Sequence, residues 1–175
     1  QPTSPSESGP EYSDQYHLFP THETANSDRG NHPFGIVVNP TLTFLESKVG
    51  TDAGGNLVCE PRNQHKGDAA RALFYMVVKY DGIEGNSWTF DWLNSTRLPA
   101  LGVDPQDVQT LINWHKQDPP DQWEIDRNDY IQSIQQNRNP FVDHPEWVDL
   151  INFNNLTFYS TVLATEPTNH VTDFA

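Results

Sequence analysis

WEIDRNDYIQSIQQNRNPFVDHPEW, residues 123–147, is the stretch whose reading decides the fold. At about 3.6 residues per turn, Trp123, Arg127, Tyr130, Ile134 and Arg138 share one helical stripe, with Ile131 flanking it. The spacing predicts that this stripe turns inward and that the helix runs to Asn139-Pro140, where proline biases the preceding residue away from helix. Two arginines lie on the stripe. A guanidinium keeps its proton, so one facing inward needs a carboxylate or an anionic ligand such as phosphate. Glu124 lies one turn before Arg127, and Asp143 or Asp149 can reach Arg138 from the loop that follows. A structural role and a phosphate-holding role are both open to these arginines.

Working back from that block, Asp118-Pro119-Pro120 is a break. Before it, Asp104-Pro105 reads as an N-cap and first helical residue, followed by Val108, Leu111, Ile112 and His115 at helical spacing. Residues 66–80 carry Ala69, Ala70, Leu73, Met76, Val77 and Tyr80 on an amphipathic face, with Asp68 and Arg71 one turn apart. Upstream, residues 36–38 and 41–49 are rich in β-branched residues and read as short strands around Asn39-Pro40. GTDAGG at 50–55 is a turn, and a third strand covers residues 57–59. Thr21 caps a short helix through Arg29, with Gly30 to end it. The fold class expected is α+β, a small antiparallel sheet with a mainly helical C-terminal part.

Composition narrows the function. The chain has 175 residues, 35% of them hydrophobic and 11% aromatic, enough for one domain with a real core. No apolar run approaches the roughly 20 residues of a membrane span. The net charge of −14 speaks against broad nucleic-acid binding, but an enzyme needs only a local positive cleft. The basic residues gather in two places, Arg62, Lys66 and Arg71 around one helix start and Arg127 with Arg138 in the other group. Cys59, the single cysteine, cannot form an internal disulfide and reads as a small buried residue on a strand. Asn94-Ser95-Thr96 and Asn155-Leu156-Thr157 match the glycosylation pattern.

A second run is dense in polar groups. SDQYHLFPTHETANSDRGNHPFG, residues 13–35, packs His17, His22, His32, Asn26, Asn31 and Arg29 into a short helix and its flanks. No spacing here matches a zinc motif, whereas oxygen and amide donors beside a histidine suit Mg²⁺ or Ca²⁺.

These residues carry a family likeness. DQYHLFPTHETANSDRGNHPFG, HKGDAARALFYM and LINWHKQDPPDQWEIDRNDYIQSIQQNRNPFVDHPEW resemble, in order, three motifs of the bacterial endonuclease I family over roughly residues 13–150. The resemblance implies a secreted or periplasmic, metal-dependent, sequence-tolerant nuclease of the ββα-metal, or His-Me finger, type. It implies Mg²⁺, or Ca²⁺ or Mn²⁺, as cofactor and DNA, with RNA as a further possibility, as substrate. By motif position Asn26 matches the metal-binding asparagine, and Arg29 and Asn31 match the polar residues after it. His17 and Arg29 then support catalysis, while Arg127, Arg138 and Arg71 are candidates to hold phosphate.

The likeness has two departures. The family's Glu-His element, source of the general base and an acidic metal ligand, does not occur in this chain, whose nearest pair is the reversed His22-Glu23. It is expected upstream, in the same precursor or as a separate chain, and the opening QPTSPSESGPEYS reads as the interior of a longer polypeptide. Tyr16 stands where the family usually has the first of two histidines, and His17 keeps the second. The expected organisation is a loose segment at 1–13, an endonuclease I-like domain at 14–151, and a strand or linker at 152–175. Against the nuclease stands a non-catalytic module on the same scaffold. A carbohydrate-binding role for the five tryptophans ranks last, because most fall at core-like positions.

Overall fold

The computed structural model describes residues 11, 13–30, 32–80 and 107–153. In chain order its elements are a 3₁₀ turn at Gln15–His17, helix α1 at Glu23–Arg29, strands β1 (Asn39–Phe44), β2 (Ser47–Thr51) and β3 (Leu57–Glu60), and a 3₁₀ turn at Asn63–His65. Helices α2 (Lys66–Tyr80), α3 (Val108–Gln117), α4 (Gln122–Gln135) and α5 (Pro140–Asp143) follow, ending in a 3₁₀ turn at Pro145–Leu150. The α+β expectation holds. Asn31, Asp104-Pro105, Trp88, Trp92, both glycosylation patterns and the segment from residue 154 onward lie outside the described residues.

Helix α2 matches its predicted bounds but is more central than its amphipathic pattern suggests. Arg71, Ala72, Phe74 and Tyr75 are buried along with the expected apolar face. Small residues make this possible at its first turns. A Cβ on Gly67 would come within 1.9 Å of the Asp118 carbonyl oxygen, so only glycine lets the end of α3 approach. Phe74 stacks on Phe153 at 4.6 Å and meets Phe141 edge-on at 5.8 Å. Each such side chain, fully buried, contributes about 1.5–3 kcal/mol.

The sheet is antiparallel in the order β1-β2-β3. Residues 41–49 are not one strand, because Leu45 takes a positive φ of 53° and turns the chain between β1 and β2. Pro40 sits inside β1, which an edge strand tolerates since one side of its backbone needs no partner. Residues 36–38 are not a strand either. Phe34 bridges Cys59 at the β3 edge whereas β1 lies at the opposite edge, so the intervening residues carry the chain across the sheet. Asp52 closes the β2–β3 turn by accepting from the backbone N–H of Gly54 and of Asn56, each at 2.8 Å.

Helix α4 corrects the reading of residues 123–147. Trp123, Tyr130 and Ile134 face solvent, 51%, 65% and 50% exposed, and the buried face is Glu124, Asn128 and Ile131. The helix also stops early, at Gln135, where Gln136 adopts a left-handed φ of 61°. Asn139-Pro140 begins α5 instead. The Asn139 side chain caps that helix by accepting from the Phe141 N–H, and proline occupies its first position. A further cap differs from expectation, because His22, not Thr21, caps α1 through Nδ1, while Asp107 caps the described helix α3. The tryptophans differ too, since Trp114 is buried but Trp123 and Trp147 are half exposed.

Candidate active-site cleft

A cavity of about 340 Å³ opens between the 3₁₀ turn at Gln15–His17, α1, the sheet and the start of α2. Its lining includes His17, Asn26, Arg29 and His65 together with Phe34 and Cys59. Each is placed for a local reason. The Asp14 side chain caps the 3₁₀ turn that carries His17, while Asn26 and Arg29 are one turn apart on α1 and so share a face. The bridge to Cys59 brings Phe34 beneath Arg29, whose guanidinium carbon lies 4.5 Å from the ring centre.

Two polar atoms in this lining are buried without a hydrogen-bond partner among the described residues, His17 Nδ1 and Arg29 Nε. Burial lowers the His17 pKa to about 4, with smaller effects from nearby charges, so the imidazole is neutral at pH 7. Arg29 remains a cation and makes no ion pair among the described residues. Burial also pushes the Cys59 thiol up to about 11, against the pull of Arg29, which makes it a poor nucleophile. A cleft with an uncommitted guanidinium, a neutral histidine and an exposed amide can accept an anion and position it.

The segment carrying His17 is held by a buried carboxylate. Asp14 accepts from the hydroxyls of Tyr75 and Tyr80, each at 2.6 Å, from Lys79 Nζ at 2.8 Å, and from Gln135 Nε2 at 3.0 Å. Burial would raise its pKa, but these donors outweigh that and hold it down to about 2. Tyr16, with no histidine role, is 1% exposed and donates to Asn128 Oδ1 at 2.6 Å, tying the same turn to α4.

The arginines expected to hold phosphate are committed elsewhere. Arg71 is fully buried; its Nε donates to Glu124 Oε1 at 2.8 Å, its Nη2 lies 2.6 Å from Glu124 Oε2, and its Nη1 donates to the Asp118 carbonyl at 2.7 Å. Arg138 pairs with Asp143 and Asp129, each at 2.6 Å, while Asp149 pairs with Lys116. Arg127 makes no ion pair with Glu124. It donates to the carbonyls of Gln15 and Leu18 at 2.6 and 2.9 Å and lies over the Phe19 ring. Acceptors meet all three guanidinium nitrogens of Arg71 and of Arg138, whereas both hydrogen bonds of Arg127 come from Nη2. His65 and its partner Asp68 were missed as site residues, although their i, i+3 spacing at a helix start was a readable sign.

The Endonuclease I family profile matches residues 2–146. This chain belongs to the endonuclease I family. Among curated proteins it is similar to an extracellular ribonuclease of Bacillus amyloliquefaciens, 39% identical over 141 residues, which are 79% of this chain and 46% of that protein. It is equally similar to an extracellular ribonuclease of Bacillus subtilis (strain 168), with the same identity and coverage. A periplasmic deoxyribonuclease of Aeromonas hydrophila is 28% identical over 130 residues, 74% of this chain and 47% of that protein. The endonuclease I-like chain thus spans a little under half the length of these relatives. No solved structure matches it significantly.

The described residues do not by themselves complete a metal site. No group of three or more histidine, cysteine or acidic side chains is placed to hold an ion among them, and Asn26 offers one neutral amide oxygen. Mg²⁺ normally keeps several waters and takes one or two carboxylates, so a further acidic ligand is needed.

Proposed function

We propose that this chain forms part of a secreted or periplasmic nuclease that hydrolyses phosphodiester bonds, with RNA favoured and DNA as a second substrate. The observation that carries this reading is the cleft, where Arg29 presents an unpaired, partly desolvated cation beside His17 and Asn26. Membership of the family supports it, as do the names of the relatives, and the two most similar of those are ribonucleases. Arg29 would hold a phosphate oxygen, and its preorganised charge would favour the negative charge that develops on phosphorus. Asn26 would supply one ligand of a divalent ion in a ββα-metal finger, with α1 as the finger's helix. Such an ion supplies Lewis-acid stabilisation of the phosphoryl oxygens. No step is assigned to it here, because the remaining ligand and the general base belong to a Glu-His element that this sequence lacks.

The net charge of −14 favours a second reading, a non-catalytic interaction module on a nuclease scaffold. A fluorogenic RNA and DNA cleavage assay with Mg²⁺, Mn²⁺ or Ca²⁺, paired with RNA binding in EDTA, separates the two. General acid–base groups contribute roughly 10²- to 10⁴-fold, so the chain alone should cleave that much more slowly than a complete nuclease. Binding should weaken about tenfold in Arg29→Gln, the loss of a charge-assisted hydrogen bond. Undiminished binding by Arg29→Gln would refute the cleft as the substrate site.

A further inference from the structure

His65 opens the HKGDAARALFYM segment, and it lines the same cavity as His17, Asn26 and Arg29. Its ring is held from two sides. Nδ1 lies 3.0 Å from Asp68 Oδ2, and the ring meets Phe19 edge-on at 4.7 Å. A carboxylate can only accept, so Nδ1 carries the proton and Nε2, with no hydrogen bond among the described residues, is the atom left for a ligand.

Asp68 is itself anchored. Its Oδ1 lies 3.2 Å from Arg71 Nη2, and Arg71 is also paired with Glu124, which makes a buried chain Glu124–Arg71–Asp68–His65. Two carboxylates share one guanidinium. His115 adds no charge, because its Nε2 donates to the Pro145 carbonyl and its other nitrogen faces Arg71, and burial lowers its pKa. Lys66 is occupied by Glu60 at 2.6 Å. Asp118, whose carboxylate accepts from the Gly67 N–H, adds further negative charge nearby. His65 shares the cavity lining with Arg29 and neutral His17. With both carboxylates ionised the group is one positive charge short. Two sites compete for a balancing proton: Glu124, whose Oε1 accepts from Arg71 Nε and whose carboxyl burial pushes up to about 7, and His65, which is 27% exposed and 3.0 Å from Asp68, where a charge is less desolvated.

We propose that His65, charged and oriented by Asp68, is a second substrate-contacting group of the cleft, its Nε2–H donating to a non-bridging oxygen of a phosphodiester seated beside Arg29. The proposal rests on the nuclease reading of this cavity and adds a residue to it. Phosphodiester oxygens only accept, so a neutral His65 with Nδ1 bound to Asp68 has nothing to donate at Nε2. The contact exists only in the charged form and gives the cleft a second cation.

The test uses the dinucleoside phosphate TpT, whose single charge is constant from pH 5.5 to 8.5, in EDTA with side-chain ¹⁵N-labelled protein. Affinity should fall about tenfold as pH rises across that range, the scale of one charge-assisted hydrogen bond. In His65→Gln, which melting curves should show to be folded, affinity should lie near the high-pH value and be flat with pH. TpT should also shift the Nε2 resonance of His65 and keep that ring protonated to higher pH. If TpT moves Arg29 and His17 signals but His65→Gln binds with unchanged affinity and slope, the cleft stands and the role of His65 falls. An affinity that rises with pH would overturn the donor assignment in favour of a neutral acceptor. No response from any cavity residue would remove both the cleft reading and this one.

Discussion

Replacing Asp14 by asparagine tests what holds His17 in place. The carboxylate is 1% exposed and gathers the Tyr75 and Tyr80 hydroxyls, the Lys79 ammonium and the Gln135 amide around two oxygens. Its pKa falls from 3.8 to about 2 on folding; at 1.36 kcal/mol per unit this amounts to about 2 kcal/mol of stability at neutral pH. Asparagine keeps the shape but loses the charge, and its NH₂ group points a donor at other donors. The expected loss is about 2–3 kcal/mol, or about 5–10 °C in Tm for a domain of this size. The sign with pH follows from the depressed value. This stability is complete above about pH 4 and disappears as pH falls through about 2, so urea unfolding of the wild type should weaken over that window. The variant should lack that component of the acid limb. Because Asp14 caps the 3₁₀ turn of His17, the imidazole resonance of His17 should shift as well. A variant within about 0.5 kcal/mol of wild type, with an unchanged acid limb, would refute the reasoning.

Two further substitutions probe the packing around α2. Gly67→Ala raises helix propensity by about 1 kcal/mol, yet the new Cβ would sit 1.9 Å from the Asp118 carbonyl, so thermal denaturation should show a net loss of stability. A gain would mean that the end of α3 moves aside freely. Arg71→Met strands Glu124 and should cost about 3–5 kcal/mol in chemical denaturation, with much of it recovered in Arg71→Met/Glu124→Met, whereas additive losses would show that the pair is not a closed unit.

What the sequence determined by itself is what depends on near neighbours. The bounds of α2 follow from an unbroken helical period, the turn at residues 52–56 from Asp52 and its glycines, and the polar density around Asn26 and Arg29 from composition alone. The three family motifs were legible in the same way. Which face of α4 is buried was not. Periodicity weighs Trp123, Tyr130 and Ile134 as inward and Glu124 and Asn128 as outward, because it counts hydrophobicity and cannot see partners. Glu124 is buried because Arg71, 53 residues away, pairs with it, and Asn128 because the Tyr16 hydroxyl, 112 residues away, donates to it. The partners of the arginines come from tertiary contacts in the same way, since carbonyls of Gln15 and Leu18 hold Arg127 and the Glu124 carboxylate holds Arg71. His65 gained a role only when the fold brought it to the wall shared with Arg29. A buried charge is stable only where its counter-charge or acceptor is delivered to it, and in this protein that delivery is made by tertiary contacts between residues far apart in the chain.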